Sequence, residues 1–285
     1  MKTYKLGVIG DPIEHSLSPK IHNIFARQAN IKIDYQAYRV DPKDLDIFIK
    51  EFFKKGGDGL NITLPHKVSC LKSADELSDT VKKIGAANTL CYNKETEKIF
   101  AESTDGAGFI RDTVGKINLM NSTILILGAG GAAQSIIPAI QEQHAKQIIL
   151  DNRSREKIEG IIKRFPPLSH DHLKPNTPLL DLKDFSSNNT DQAGTHTVIN
   201  ATSAGFDGPF HWDKEIYANE HTNFYDLSYS SDIAPTPFLK WADQYSSGQA
   251  YDGFGMLVNQ AALSFKLWTD IGPDANITKN ELFNE

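Results

Sequence analysis

The twelve residues Ser122–Ala133, STILILGAGGAA, decide the fold. The first six, STILIL, are a β-branched and leucine run with no polar alternation past its first two residues. Such a run fits a strand buried on both faces of a parallel sheet. Gly128-Ala129-Gly130-Gly131-Ala132-Ala133 follows at once and opens a helical pattern that reaches about His144. It matches G-x-G-x-x-A. In that pattern the first glycine permits the tight turn, the second lets a pyrophosphate approach the backbone, and the last small residue allows close helix–strand packing. The N–H groups at the helix start then receive phosphates. A glycine turn that only packs a helix is the bland alternative; the strand–loop–helix context favours a dinucleotide site.

Outward from this stretch, strands and helices alternate. Downstream, Gln147–Leu150 reads as a second buried strand, and Ser154–Phe165 as a helix with Ile158, Ile161, Ile162 and Phe165 on one stripe. Thr197–Ala201 and Asn223–Leu227 read as further strands, and Gly255–Thr269 and Thr278–Phe283 as closing helices. This is the pattern of a doubly wound α/β domain. Pro166–Pro178 holds four prolines and reads as a surface loop. Upstream, Tyr4–Ile9, Asp34–Val40 and Gly59–Leu64 read as strands, and Asn88–Tyr92 with Lys98–Ala101 as a hairpin. Ser18 is placed as an N-cap with Pro19 at the first helical position. Asp41-Pro42 opens a second helix, striped by Leu45, Phe48, Ile49, Phe52 and Phe53 and stopped by Gly56-Gly57. The pattern restarts around Thr104-Asp105-Gly106.

Composition bounds what such a protein does. With 285 residues, the chain is long enough for one large domain or two modest ones. Thirty basic against 36 acidic residues give a net charge of −6, which disfavours a general nucleic-acid binder. The two cysteines, Cys70 and Cys91, cannot build a disulfide framework or a metal cluster, and suit a reducing cytosol. The apolar run Leu6–Ile9 is too short for a signal-peptide core, and no stretch approaches the ~18 apolar residues of a membrane span. The expectation is a cytoplasmic protein that binds neither nucleic acid nor membrane.

The end of the second strand bears on which dinucleotide binds. Asp151 stands 23 residues past Gly128, near the ~20 at which an acid holds the ribose hydroxyls of NAD. It is followed by Asn152-Arg153-Ser154-Arg155-Glu156-Lys157, whose three cations and hydroxyl favour a 2′-phosphate. Arg155 and Lys157 are also explained as solvated helix charge, while Arg153 sits at the strand exit where the phosphate would lie. NADP is the expected cofactor.

Three polar clusters in the first half are more than folding requires. In Glu14-His15-Ser16-Leu17-Ser18-Pro19, the two hydroxyls and the helix start suit an anion such as a carboxylate, although capping and turn roles explain them as well. In Asn61-Ile62-Thr63-Leu64-Pro65-His66-Lys67, Asn61 and Thr63 share a strand face, and Lys67 follows the strand's C-terminal end, where α/β ligands bind. His66, next to it, is read as structural. Asp105 is the third candidate, with an ordinary helix cap as its bland reading.

Taken together, the motifs resemble a known family, the shikimate dehydrogenases. The matching runs are GVIGDPIEHSLSPKIHN (Gly7–Asn23), NITLPHK (Asn61–Lys67), GAANTL (Gly85–Leu90), STDGAGF (Ser103–Phe109), GAGGAA (Gly128–Ala133), NRS (Asn152–Ser154), NATSAG (Asn200–Gly205), YDLSY (Tyr225–Tyr229) and DGFGMLVNQAALSF (Asp252–Phe265). They follow the family's order over nearly the whole sequence. The resemblance implies two α/β domains, the second a Rossmann-like doubly wound parallel sheet. Residues 1–104 and 253–285 would form a substrate-binding catalytic domain, and 105–252 an NADP-binding domain.

It also implies roles for single residues. Ser16 and Ser18 would meet the substrate carboxylate, with Tyr229 near it, and Asn61, Thr63, Asn88, Asp105 and Gln260 the ring hydroxyls. Lys67 would stand at the reacting oxygen with Asp105 as its partner. The cofactor positions are Gly128, Ala129, Gly130, Gly131, Ala132, Asn152, Arg153, Ser154, Arg155, Lys157, Leu227 and Gly253, with Asp79 a weaker match. The implied reaction is the reversible NADP(H)-dependent reduction of 3-dehydroshikimate to shikimate in chorismate biosynthesis, by a monomer or homodimer.

The residues suit that chemistry. Reducing a ketone needs hydride on one face and a proton for the developing alkoxide; a lysine ammonium supplies the proton, and a neighbouring carboxylate holds it in place. No metal is expected, since His170-Asp171-His172 lacks a third ligand nearby. Two other readings stay open: a quinate/shikimate dehydrogenase with relaxed cofactor use, which Asp151 keeps alive, and a non-catalytic sensor of shikimate-like ligands.

Overall fold

The structure, a computed structural model, describes residues 2–166, 177–182, 196–205, 208–214, 216, 218–230, 234–245 and 249–283. Most of Pro166–Pro178, including His170-Asp171-His172, lies outside the described residues. The chain divides into two compact units, residues 1–108 with 257–285 and residues 109–256.

The first unit holds β1 (Thr3–Gly10), α1 (Ser18–Gln28), β2 (Lys32–Arg39), α2 (Leu45–Lys54), β3 (Gly59–Ile62), β4 (Glu76–Leu77), α3 (Asp79–Ile84), β5 (Thr89–Asn93) and β6 (Lys98–Glu102). Its sheet runs β2-β1-β3-β5-β6-β4. β1 pairs parallel with β2 and β3, whereas β5 is antiparallel to β3 and β6, so the expected hairpin lies inside a mixed sheet. Side chains alternate across the sheet. Ile9, Leu60 and Ile62 pack with Ile49, Phe52 and Phe53 of α2, while Leu6 and Val8 pack with Tyr35 and Trp268 in a separate cluster. α1 departs from expectation at its start: the N-cap is Leu17, with no side-chain cap, and Ser18 is the first helical residue. The Ser16 hydroxyl instead accepts the Ser18 N–H at 3.3 Å.

The chain leaves this unit within α4 (Asp105–Thr113). The second unit contains β7 (Thr123–Leu127), α5 (Gly131–Glu142), β8 (Gln147–Asp151), α6 (Arg155–Arg164), β9 (Leu179–Asp181), β10 (Thr197–Asn200), β11 (Asn223–Asp226), α7 (Pro237–Ala242) and β12 (Ala250–Tyr251). α8 (Phe254–Thr269) returns to the first unit, where α9 (Lys279–Phe283) follows. Each crossing falls inside a helix, four residues beyond the boundary drawn from sequence.

The second sheet runs β9-β8-β7-β10-β11-β12, every pair parallel. Strand order reverses between β7 and β10, and ligands of doubly wound sheets bind at the strand ends beside such a reversal. β7 is buried on both faces, as its sequence predicts. Ile124 and Ile126 pack with Ile136, Ile140 and Ile158 of α5 and α6; Leu125 and Leu127 pack with Val198, Phe224 and Phe238. Strands β9 and β12 carry no sequence signal, being three and two residues long. No described helix is long and apolar enough to cross a membrane.

Candidate active site

In the first unit, the loops after β1 and β3 adjoin because their strands are neighbours. The Asp11 N–H donates to the Leu64 carbonyl at 3.0 Å, and the Thr63 N–H to the Ile9 carbonyl at 2.9 Å. Ser16 and Ser18 come from the first loop and helix start, Thr63 and Lys67 from the second. Lys67 Nζ lies 2.6 Å from Asp105 Oδ2, with the side chains 21% and 8% exposed. Removing one partner of a largely desolvated pair of this kind leaves a buried charge, which costs more than breaking a surface ion pair. Asp105 is the first residue of α4, but its carboxylate is turned to Lys67 and Asn88 and is no ordinary cap.

A buried hydrogen-bond network sets this pair. Asn88 Nδ2 donates to Asp105 Oδ1 at 2.9 Å, to Gln260 Oε1 at 3.0 Å and to Thr104 Oγ1 at 2.9 Å. Its amide cannot flip, because Oδ1 already accepts the Thr104 N–H at 2.8 Å and the Thr89 hydroxyl at 3.0 Å. Thr89 meets Ser264 at 2.7 Å, and Ser264 takes the Asn61 amide at 3.1 Å. Asn61 Nδ2 also donates to the Asn88 carbonyl at 3.2 Å. Asn61 Oδ1 accepts the Tyr35 hydroxyl at 2.7 Å and His22 Nε2 at 3.1 Å. Both ends of the Asn61 amide are therefore engaged inside the fold.

His22 is wholly buried and stacks on Tyr35 at 4.4 Å between ring centroids. Because Asn61 Oδ1 is an acceptor, His22 Nε2 carries the hydrogen, and its Nδ1 has no hydrogen-bond partner among the described residues. Burial pushes the His22 pKa down to about 3, against about 6.5 in an unfolded chain. Between these values the unfolded chain binds a proton that the folded one refuses, so stability is lost as pH falls from about 6.5 toward 3. His22→Phe removes this contribution. Urea titrations across that range are expected to give a shallower fall of unfolding free energy with acid in the variant; an unchanged slope would refute the neutral-histidine assignment.

The remaining predicted positions of the first unit are less joined. Thr63 is half-buried at the end of β3, and Gln260 Nε2 donates to the Leu257 carbonyl at 2.9 Å. Asp79 opens α3 with a fully exposed side chain, paired to Lys82 at 2.9 Å and bonded to none of the other candidates.

The glycine loop of the second unit is shaped for an anion. Gly128 has φ +107°, and a Cβ there would meet the Ala201 carbonyl oxygen at 2.9 Å, so only glycine fits between β7 and β10. A Cβ at Gly130 or Gly131 would meet nothing within 4 Å, leaving open space above the loop with Ala129 and Ala132. α5 has no side-chain cap and no acidic residue in its first turn. Its N–H groups and helix dipole are thus free for a phosphate. These features fit a dinucleotide.

At the end of β8, Asn152 Nδ2 donates to the Ser154 carbonyl at 3.0 Å, and Ser154 is the N-cap of α6 without a side-chain cap bond. Arg153 and Lys157 are exposed and make no ion pair among the described residues. Arg155 pairs with Glu159 at 3.1 Å, which supports its solvated-charge reading. Asp151 behaves differently from its sequence reading. It is wholly buried, its carboxylate taken by Trp212 Nε1 at 2.9 Å and by Lys214 Nζ. An internally neutralised acid cannot hold a ribose, so the case for NAD that rested on Asp151 loses its basis. Beyond β11, Gly253 donates its N–H to the Ser228 carbonyl at 2.9 Å, and a Cβ there would lie 2.3 Å from the Leu227 carbonyl oxygen. Leu227 and Gly253 are thereby held together, with half-buried Tyr229 two residues past Leu227.

Sequence reasoning missed His22, Tyr35, Thr89, Thr104 and Ser264, and also Trp212 and Lys214. His22 carries the one local signal, a polar ring among Ile21, Ile24 and Phe25 on an apolar stripe. Trp212 and Lys214 stand 61 and 63 residues from Asp151 and carry none.

Comparison with known proteins bears on this arrangement. Residues 8–90 match the family described as the shikimate dehydrogenase substrate binding domain, residues 111–186 the shikimate / quinate 5-dehydrogenase family, and residues 253–283 the shikimate 5′-dehydrogenase C-terminal domain. The chain is 39% identical over 283 residues to the shikimate dehydrogenase (NADP(+)) of Vesicomyosocius okutanii, covering 99% of this chain and 98% of that one. It is 37% identical over 270 residues to that of Colwellia psychrerythraea, covering 94% and 92%. Among solved structures, shikimate 5-dehydrogenase from Thermus thermophilus, in complex with NADP(H) and shikimate, is similar with a TM-score of 0.82 at 26% identity, covering 99% of each chain.

Proposed function

The chain belongs to the shikimate dehydrogenase family, and from that premise we propose that it catalyses the reversible NADP(H)-dependent reduction of 3-dehydroshikimate to shikimate in chorismate biosynthesis. The observation that carries the reading is the Lys67–Asp105 contact at 2.6 Å, ordered from behind by Asn88. A sensor that only bound its ligand would have no use for a proton donor held in this way.

Gly128–Ala132 would hold the pyrophosphate, Asn152, Arg153, Ser154 and Lys157 the 2′-phosphate end, and Leu227 and Gly253 the nicotinamide end. When bound, the nicotinamide supplies the hydride for reduction or accepts it in the reverse direction. Arg155 and Asp79 contribute at most charge, since each has its own partner.

The chain's own residues do the rest. Lys67 donates a proton from Nζ to the developing alkoxide, and takes it back when the alcohol is oxidised. Asp105 Oδ2 fixes the ammonium, and Asn88 fixes Asp105. Ser16 and Ser18 donate to the substrate carboxylate, with Tyr229 beside it; Thr63, Asn88, Asp105 and Gln260 meet the ring hydroxyls. Asn61, its amide already saturated, serves by orienting Asn88 and Ser264. The residues 1–108 and 257–285 form the substrate-binding catalytic domain, and 109–256 the NADP-binding domain. Cytoplasmic residence, as a monomer or homodimer, belongs to the same reading.

Absorbance at the reduced-nicotinamide band, with shikimate or quinate and NADP or NAD, tests the proposal. Turnover is expected with shikimate and NADP; its absence sinks the reading, and equal rates with quinate would favour the quinate/shikimate alternative. The carboxylate assignment has its own test. A Ser16→Ala, Ser18→Ala double variant should bind shikimate more weakly and keep most of its NADPH affinity. Normal shikimate binding in calorimetry with only a lower Tm would make the hydroxyls structural.

A further inference from the structure

We infer that Lys214 is a specificity-determining residue: by neutralising Asp151 it removes the carboxylate that would otherwise oppose a 2′-phosphate. The inference rests on the NADP reading above and extends it to a residue outside every motif.

Asp151 closes β8 opposite Leu127, and its carbonyl accepts the Gly128 N–H at 2.7 Å. Its backbone thus touches the first residue of the glycine loop. An acid at this place in a doubly wound fold ordinarily takes the ribose 2′-hydroxyl and repels a 2′-phosphate. Here the carboxylate has no exposed surface. Trp212 Nε1 donates to Oδ2 at 2.9 Å, and Lys214 Nζ to Oδ1. A buried carboxylate needs both a counter-charge and hydrogen bonds, and these two residues supply them. Lys214 is itself 54% exposed, so its ammonium keeps much of its hydration while it covers the acid.

The local charge then adds up in favour of phosphate. Asp151 is cancelled by Lys214, and Arg155 by Glu159 at 3.1 Å. Arg153 and Lys157 are left as unpaired cations among the described residues, against one exposed acid, Glu156, in the first turn of α6. Without Lys214, the carboxylate would keep, among the described residues, only the neutral indole donor, and its charge would stand uncompensated beside the phosphate position. Specificity would come as much from silencing the wrong group as from the cations that read the right one.

Isothermal calorimetry on the full chain, with adenosine 2′,5′-bisphosphate and 5′-AMP as probes, tests this without turnover. Wild type is expected to prefer the bisphosphate. Lys214→Met should reduce that preference about tenfold, or about 1.4 kcal/mol. Adding Asp151→Asn to Lys214→Met should restore it, because no charge is left to silence. An unchanged preference in Lys214→Met overturns the inference. So does a double variant that stays impaired, since Lys214 would then contact the phosphate itself. If wild type shows no preference, the NADP reading fails and the inference with it. Lys214→Gln, which keeps a donor without the charge, carries the same comparison should the methionine variant fail to fold.

Discussion

Lys67→Ala is expected to lower kcat by about 10²–10⁴, the range that a positioned acid–base group contributes. The substrate's affinity should change much less. Ser16, Ser18, Asn88 and Gln260 remain to hold the ligand, and none of them depends on Lys67 for its hydrogen bonds. A loss confined to kcat is the mark of an interaction made in the transition state. The variant also strips the ammonium from Asp105, which is 8% exposed and would keep, among the described residues, only Asn88. Leaving a largely buried carboxylate without its counter-charge is destabilising, so a lower Tm should accompany the kinetic loss. Lys67→Met keeps the stem and separates packing from proton transfer. Steady-state rates together with a shikimate titration check the split. A kcat within a few-fold of wild type would remove Lys67 from the mechanism.

Arg153→Ala is expected to raise the KM for NADP about ten- to a hundredfold and barely to change that for NAD. A charge-assisted contact contributes about 1.5–3 kcal/mol net, which corresponds to that range. Arg153 is exposed at the exit of β8 and makes no ion pair among the described residues, so nothing within the fold should move to compensate. The glycine loop and the start of α5 are untouched, and pyrophosphate binding should survive with either cofactor. Equal losses for NADP and NAD would mean that Arg153 stacks on the adenine or supports its loop. The 2′-phosphate would then fall to Ser154 and Lys157, because Arg155 is held by Glu159.

Short-range pattern alone encodes the first half of the glycine-loop unit. Six consecutive buried residues followed by GAGGAA specify strand, glycine loop and helix, because period, turn chemistry and helix start all lie within one short stretch. Lys67 was legible for the same reason, as it stands two residues past Pro65 in the loop that follows β3. Tertiary structure alone decided which polar groups remain available. Ser18 reads as a cap, yet the helix begins one residue earlier and its hydroxyl meets Tyr35 instead. Asn61 reads as a ligand-facing amide, yet Tyr35, His22 and Ser264, the last 203 residues away, consume it. Asp151 reads as a ribose-binding acid, yet Lys214 and Trp212 arrive from over sixty residues downstream and silence it. In each case the residue's type and secondary structure were open to local reading, but its hydrogen-bonding capacity was spent by partners that only the folded chain brings within 3 Å or so.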